Sequence, residues 1–409
     1  MEQSKGWLET REISWRVKQP VAGIINTAIV LIIFFILWRV FMDPTGPIKW
    51  YTPLFGVVFI TGITAVTIWH AVTFDFWPFT RERLAAWSPL TRGVILTGFY
   101  VGAVIAIYLF FTYVFGMLGV TYFSSLNLTR AGISAVIARE QASFAIVSFL
   151  VIVLIMALVL KNAFEQRPWH LQKQPLQGFS VFIWSTLLGV AVFSVFVHPH
   201  FGIVYLPWQE YAVAFPWWQP FVRTLHGNFS IGLLMSYLVV IFLSGTIWEN
   251  KPWDIVKSQP WRGLFTLGGT ILIALIFYTS FLFINELRWG PPIEGAFRLQ
   301  SISWRFLHAG EMTFFLVIPA LVLYFYFDNW PRKYEASVNW VFRTVIVIVG
   351  GVILYWAYYA FAPEILNVVR GYADPDQFPI ASLMLIVMLI LLHSWSFDGW
   401  PVGRRKALQ

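Results

Sequence analysis

Ten stretches of the chain are each apolar enough, over enough residues, to cross a lipid bilayer, and no other feature limits the fold so severely. A bilayer core takes about 20 apolar residues in helical form. The stretches are Val21–Phe41, Pro53–Phe74, Gly93–Val114, Ala142–Leu160, Gly178–Val197, His226–Trp248, Gly263–Phe283, Phe306–Phe327, Val341–Phe361 and Pro379–His393. Each is too rich in Phe, Ile, Leu and Val to be a surface helix. Of the 409 residues, 58% are hydrophobic and 12% charged, where an average soluble domain carries about 25% charged residues. A water-soluble fold has too little interior to hide that much apolar surface. The fold class is therefore all-α, a polytopic integral membrane protein with ten transmembrane helices. Residues 1–20 read as an N-terminal segment, 21–398 as a single transmembrane domain and 399–409 as a basic tail. The first apolar stretch follows a polar leader without a cleavage pattern, so it reads as a true span.

Ten spans put both termini on one side, and the basic residues then divide unequally. The terminal side holds 19 of the 28 Lys and Arg, including eight of the nine Lys. The other side holds Arg39, Lys49, Arg130, Arg139, Arg223, Arg288, Arg298, Arg305 and Arg370. Acidic residues divide 11 to 9, so the whole net charge of +8 falls on the terminal side. The positive-inside rule makes that side cytoplasmic in a cell (inner) membrane. The basic balance is thus a topology signal with some attraction for anionic lipid. It is not the clustered footprint of a nucleic-acid binder.

The loops on that side repeat. Gln19-Pro20-x-x-Gly23, Pro89-x-x-x-Gly93, Gln174-Pro175-x-x-Gly178 and Gln259-Pro260-x-x-Gly263 each precede a span. Trp77-Pro78, Pro168-Trp169, Pro252-Trp253, Trp330-Pro331 and Trp400-Pro401 each follow one. The pattern predicts five parallel helical-hairpin repeats rather than inverted ones. Trp favours the headgroup level and Pro ends a helix there, so these residues read first as interface anchors and stops. His70, His170 and His393 fall near the same level and read as interface residues too.

With no Cys and seven His, the chain cannot ligate an iron–sulfur cluster, attach a c-type haem or form a disulfide. No cofactor is expected to be covalently bound. No Asp, Glu, Lys or Arg falls mid-span in the sequence, which argues against an ion-coupled transporter built on midplane charges. Polar groups gather instead at the outer ends of particular spans. The sixth opens Arg223-x-x-His226-x-Asn228 and the eighth Arg305-x-x-His308-x-x-Glu311. The fourth has Arg139-Glu140-Gln141 at the same place, without the His. Residues three apart share a helix face, so Arg305, His308 and Glu311 are expected to form a polar ladder, faced by His226 and Asn228. Glu286 closes the seventh span on that side, and His198-Pro199-His200 closes the fifth. Pro319 should interrupt the eighth span below Glu311.

Three ligand classes fit this level. A quinone head could exchange protons with His226, Asn228, Arg305, His308, Glu311 and Glu286. A metal could draw on His198, His200, His226 and His308. Haem could be held by His pairs. Alternatively, the Arg residues snorkel to headgroups and each His serves helix packing. The leading functional expectation is a membrane subunit of a multi-subunit respiratory or redox complex. It would anchor peripheral redox subunits and meet quinone near the outer face. Its alternatives are a secondary transporter or channel subunit, a membrane metalloprotein with an outer His cluster, and an assembly factor.

Overall fold

The computed structural model describes residues 13–50, 55–79, 84, 86–198, 227–291, 295, 298–368 and 379–405. Ten helices in it are long and apolar enough to span a membrane: α1 Val21–Met42, α2 Gly56–Thr73, α3 Pro89–Leu118, α4 Ala135–Asn162, α5 Leu176–Phe196, α6 Gly227–Gly245, α7 Trp261–Trp289, α8 Ser303–Phe325, α9 Ala336–Ile365 and α10 Pro379–Ser396. Several run past the limits read from hydropathy. α4 begins at Ala135 rather than Ala142, and α9 at Ala336 rather than Val341. Hydropathy marks the apolar stretch, whereas backbone hydrogen bonding carries the helix on through polar residues such as Arg139, Glu140 and Gln141. Strands β1 (Ile13–Trp15) and β2 (Gly403–Arg405) pair antiparallel. α1 therefore starts, and α10 finishes, at one end of the bundle, here called the termini end.

Burial alternates along the chain. In α2, α4, α6, α8 and α10, 67–89% of the most apolar window is buried, against 17–33% in α1, α3, α5, α7 and α9. The well-buried helices touch in a closed circuit: α2 on α4, α4 on α6, α6 on α8, α8 on α10 and α10 on α2. The other five pack outside them. Each outer helix buries one narrow stripe at helical spacing. In α3 the stripe is Gly93, Leu96, Tyr100 and Val104; in α7 it is Gly263, Thr266, Thr270, Ala274 and Tyr278. The remaining apolar surface of these helices is exposed, which suits contact with acyl chains.

At the termini end, the turns after the five inner helices share one geometry. Each holds two successive residues at positive φ, the first always acidic: Asp75-Phe76, Glu165-Gln166, Glu249-Asn250, Asp328-Asn329 and Asp398-Gly399. The second residue's N–H donates to a carbonyl in the helix end, as Phe76 to His70 (2.8 Å), Gln166 to Leu160 (2.8 Å) and Gly399 to His393 (2.8 Å). A proline follows two residues later and stops the helix from resuming.

Each turn is gripped by the start of an outer helix from elsewhere in the chain. Gln19 Nε2 donates to the Tyr326 carbonyl (2.7 Å), Gln174 to Thr73 (3.0 Å) and Gln259 to Ala163 (2.9 Å). The glycine four residues after each of these glutamines lets the aromatic ring preceding the turn's acid approach. A Cβ on Gly23, Gly178 or Gly263 would lie 2.7, 2.4 or 2.5 Å from Phe327, Phe74 or Phe164. The acids are held too: Glu165 by Arg262 (2.8 Å), Glu249 by Arg343 (3.1 Å), Asp328 by the Trp15 indole (2.9 Å) and Asp398 by Arg92. The glutamine and glycine positions are thus clamps, beyond the punctuation expected of them.

The clamps differ in strength according to burial. Arg262 and Glu165 are 24% and 39% exposed, and such pairs contribute about 0–1 kcal/mol. Glu165→Ala should therefore shift the detergent-phase thermal midpoint only slightly; a loss comparable to that argued below for Asp398 would contradict this ranking.

His70 and His393 lie in the last turns of α2 and α10, packed inside the protein. Both are buried, and each ring Nδ1 lies 2.8 Å from a tyrosine hydroxyl on another helix, Tyr100 and Tyr326. His170 is exposed.

Candidate functional site

The inner ring encloses a cavity of about 300 Å³ to which all five inner helices contribute. It begins at the end opposite the termini and runs inward along α4 from Glu140 to Leu154 and along α6 from Asn228 to Phe242. Fourteen residues of helix advance about 21 Å, so the cavity is deep and narrow. Its wall is mostly apolar, with Phe144, Trp304, Phe314, Met235 and Met384 among the larger side chains. Glu140, Gln141 and Ser143 on α4, Asn228 on α6 and Ser303 on α8 make its mouth polar, and Glu311 on α8, Thr61 and Thr64 on α2 and Ser148 on α4 lie deeper. No Lys or Arg lines it among the described residues.

α8 carries the densest chemistry. His308 Nδ1 lies 2.5 Å from Glu311 Oε2, and both side chains are at most 2% exposed. The Trp304 ring lies 6.0 Å from that of His308, centroid to centroid. The spacing of three that separates His308 from Glu311 puts them one above the other on the helix. Glu311 lies eight residues into its 23-residue span, about 12 Å down at 1.5 Å per residue. That is well below the surface level read from the sequence.

The helix around these residues is shaped for them. α6 and α8 cross with backbones in contact at Gly232 and Gly310, where a Cβ on Gly310 would lie 2.5 Å from Gly232 Cα. Below Glu311 the α-helix gives way to a 3₁₀ turn at Phe314–Leu316 before resuming at Val317. Pro319 cannot donate the hydrogen bond that would continue the α-helical ladder through this turn. Across the crossing, Asn228 Nδ2 donates to Ser303 Oγ at 2.7 Å.

Other expected members lie elsewhere. Arg305 does not continue the ladder: it turns away and donates to the carbonyls of Gly290 (2.5 Å) and Pro291 (3.1 Å), pinning the loop after α7. Glu286 is exposed on the outer helix α7 and is not part of the cavity wall. His198 lies against Tyr122, ring Nδ1 to hydroxyl 2.5 Å, and burial pushes its imidazole below the ordinary histidine range. His200 and His226 lie outside the described residues, as does most of the loop between α5 and α6. Among the described residues no three His, Asp or Glu converge.

Glu140 and Gln141 line the cavity although the sequence reading left them out of the site. The signal was present. They directly follow Arg139, which opens its span as Arg223 and Arg305 open theirs; the position three after Arg139, where the other two spans carry His, is Ala142.

Compared with known protein families, curated proteins and solved structures, the chain matches none.

Proposed function

We propose that the chain is a membrane subunit of an electron-transfer complex and that its central cavity receives the head group of a quinol. The observation that carries this reading is the buried His308–Glu311 pair beside an aromatic-lined slot. A carboxylate and an imidazole in contact can accept a proton from a phenolic hydroxyl and pass it on. Apolar and aromatic walls suit the ring. Oxidation of the quinol to quinone releases two protons and two electrons. The protons would leave through the acidic mouth. The electrons would pass to a haem or iron–sulfur centre in a partner subunit.

The charge bias of the loops supports assigning the termini end to the cytoplasm and the mouth to the outer face. The recurring acid-x-x-proline turn, with its glutamine clamp, supports reading the ten spans as five parallel hairpins. In that reading, each inner helix delivers an equivalent position to the cavity mouth.

The test is retention of a short-chain quinol by the purified full chain in nanodiscs. The wild type should bind it, and His308→Ala and Glu311→Gln should each weaken binding at least tenfold while the protein remains monodisperse. A wild type that retains no quinol refutes the proposal. A second reading, a secondary transporter or channel, is favoured by the cavity's place inside a ring to which all five inner helices contribute. Uptake of a solute into vesicles holding only this chain, without quinol binding, would favour it.

A further inference from the structure

The polar groups of the cavity are not balanced between donors and acceptors. Several donors on its wall are already committed within the protein. Asn228 Nδ2 donates to Ser303 Oγ (2.7 Å), Thr64 Oγ1 to the Ile60 carbonyl (2.8 Å) and Ser148 Oγ to the Phe144 carbonyl (2.8 Å). Ser143 Oγ, buried without a protein partner, and the Gln141 amide can each donate or accept, so neither discriminates between ligands. The groups that can only accept are in excess. Asn228 Oδ1 is buried with no protein partner, on a side chain only 7% exposed. The carboxyl groups of Glu140 and Glu311 line the same space, Glu311 with Oε2 against His308, and no Lys or Arg does so among the described residues. A buried acceptor left unpaired carries the cost of its lost hydration. A ligand that supplies a hydrogen removes that cost, whereas one that brings only further lone pairs adds to it.

We infer that this cavity selects ligands that donate hydrogen bonds, and so takes the reduced hydroquinone in preference to the oxidised quinone. The inference rests on the quinol reading above and sharpens it. The two redox forms share a ring and a tail. They differ in that the hydroquinone carries two O–H donors and the quinone only carbonyl acceptors. Asn228 Oδ1 and the carboxylates of Glu140 and Glu311 are the specificity-determining groups. Such a preference fills the cavity with quinol and lets quinone leave, while the drive for oxidation must come from the partner subunit's electron acceptor.

The test compares three probes on the full chain in phosphatidylcholine nanodiscs: a short-chain quinol under anaerobic reductant, the same compound oxidised, and a protonated alkylamine of similar size. The quinol should bind at least tenfold more tightly than the quinone. Glu140→Gln, at a half-exposed position tolerant of change, should shrink that preference without weakening quinone binding. Asn228→Leu should shrink it further, and Asn228→Asp, which restores an acceptor, should recover it. Equal affinity for the two forms, or tighter binding of quinone, overturns the inference. If neither form binds but the alkylamine does, donor selection stands and the quinol reading falls. If none of the three binds, both fall.

Discussion

Asp398→Ala will destabilise the chain more than removal of any of the other turn acids. Asp398 and Arg92 form an ion pair in which each side chain is 1% exposed. Arg92 also donates to the carbonyls of Ser396 (2.9 Å) and Leu84 (3.3 Å). Taking away the carboxylate leaves a guanidinium buried without its counter-charge, a change that costs about 3–5 kcal/mol. The loss is architectural as well as local, because Arg92 stands at the start of α3 and Asp398 just past the end of α10. With the β1–β2 pairing, this contact joins the first and last parts of the chain. Asp398 sits at φ 50°, a conformation that Asn and Asp tolerate better than Ala. Asp398→Asn therefore isolates the charge and should fall at the lower end of that range. Replacing both partners with apolar residues, as in Arg92→Met with Asp398→Leu, should recover part of the stability lost by the single change. The measurement is the thermal unfolding midpoint in detergent, read alongside monodispersity. If Asp398→Ala stays within about 1 kcal/mol of wild type, the pair behaves as a solvated one and the argument from burial is wrong.

The contrast between Arg92–Asp398 and Arg262–Glu165 shows what a sequence conceals. Both acids precede a proline by three residues, as do Asp75, Glu249 and Asp328. The spacing was there to be read, but the tryptophans beside the prolines have a ready physical explanation as interface anchors. They drew the reading to themselves. Nor does spacing say which arginine will meet which acid. Arg92 and Asp398 come together only when the ends of the chain meet, so no local pattern announces the pair. The ten spans were legible because membrane insertion depends on apolar length, which is a local property. Which spans lie inside was only partly so. Four inner helices have mean hydropathies of 1.6–1.9 and the outer ones 2.0–2.6, but α4, at 3.1, is an inner helix. Its polar residues gather at one end, near Glu140, outside its most apolar window, so its average conceals its role.

Within the site, the ladder on α8 was half legible. The spacing of three put His308 over Glu311 correctly, because that is helix geometry. It also promised Arg305, which instead bonds loop carbonyls that lie close only in three dimensions. His70 and His393 misled for a similar reason: beside tryptophans near span ends they look like headgroup residues. Tyr100 and Tyr326, from distant parts of the sequence, bury them.

Gly310→Val should abolish ligand retention and lower stability together, because at this crossing the cavity wall is built by backbone contact. A Cβ on Gly310 would lie 2.5 Å from both the Cα and the carbonyl oxygen of Gly232, and one on Gly232 would lie 2.3 Å from the Phe306 carbonyl oxygen. These are main-chain atoms, which cannot rotate aside as a side chain can. The two helices must separate. Overpacking of a close-packed interior costs about 1–3 kcal/mol, and a rigid neighbour places this site at the upper end. Close approach through small residues is how membrane helices gain packing energy, so the separation also forfeits contacts along both helices. The chemical consequence follows from register. Asn228 lies one turn from Gly232 on α6, and Glu311 is adjacent to Gly310 on α8. Parting the helices stretches the 2.7 Å bond from Asn228 to Ser303 and moves the open acceptor of Asn228 away from the carboxyl of Glu311. Gly310→Ala should do the same to a smaller degree, weakening quinol retention at least tenfold. Gly98→Ala and Gly102→Ala are the controls: a Cβ at either position meets nothing within 4 Å, so both should fold and bind as the wild type does. If Gly310→Ala binds as tightly as these controls, the α6–α8 crossing does not shape the site, and the cavity's polar mouth must be held by other contacts.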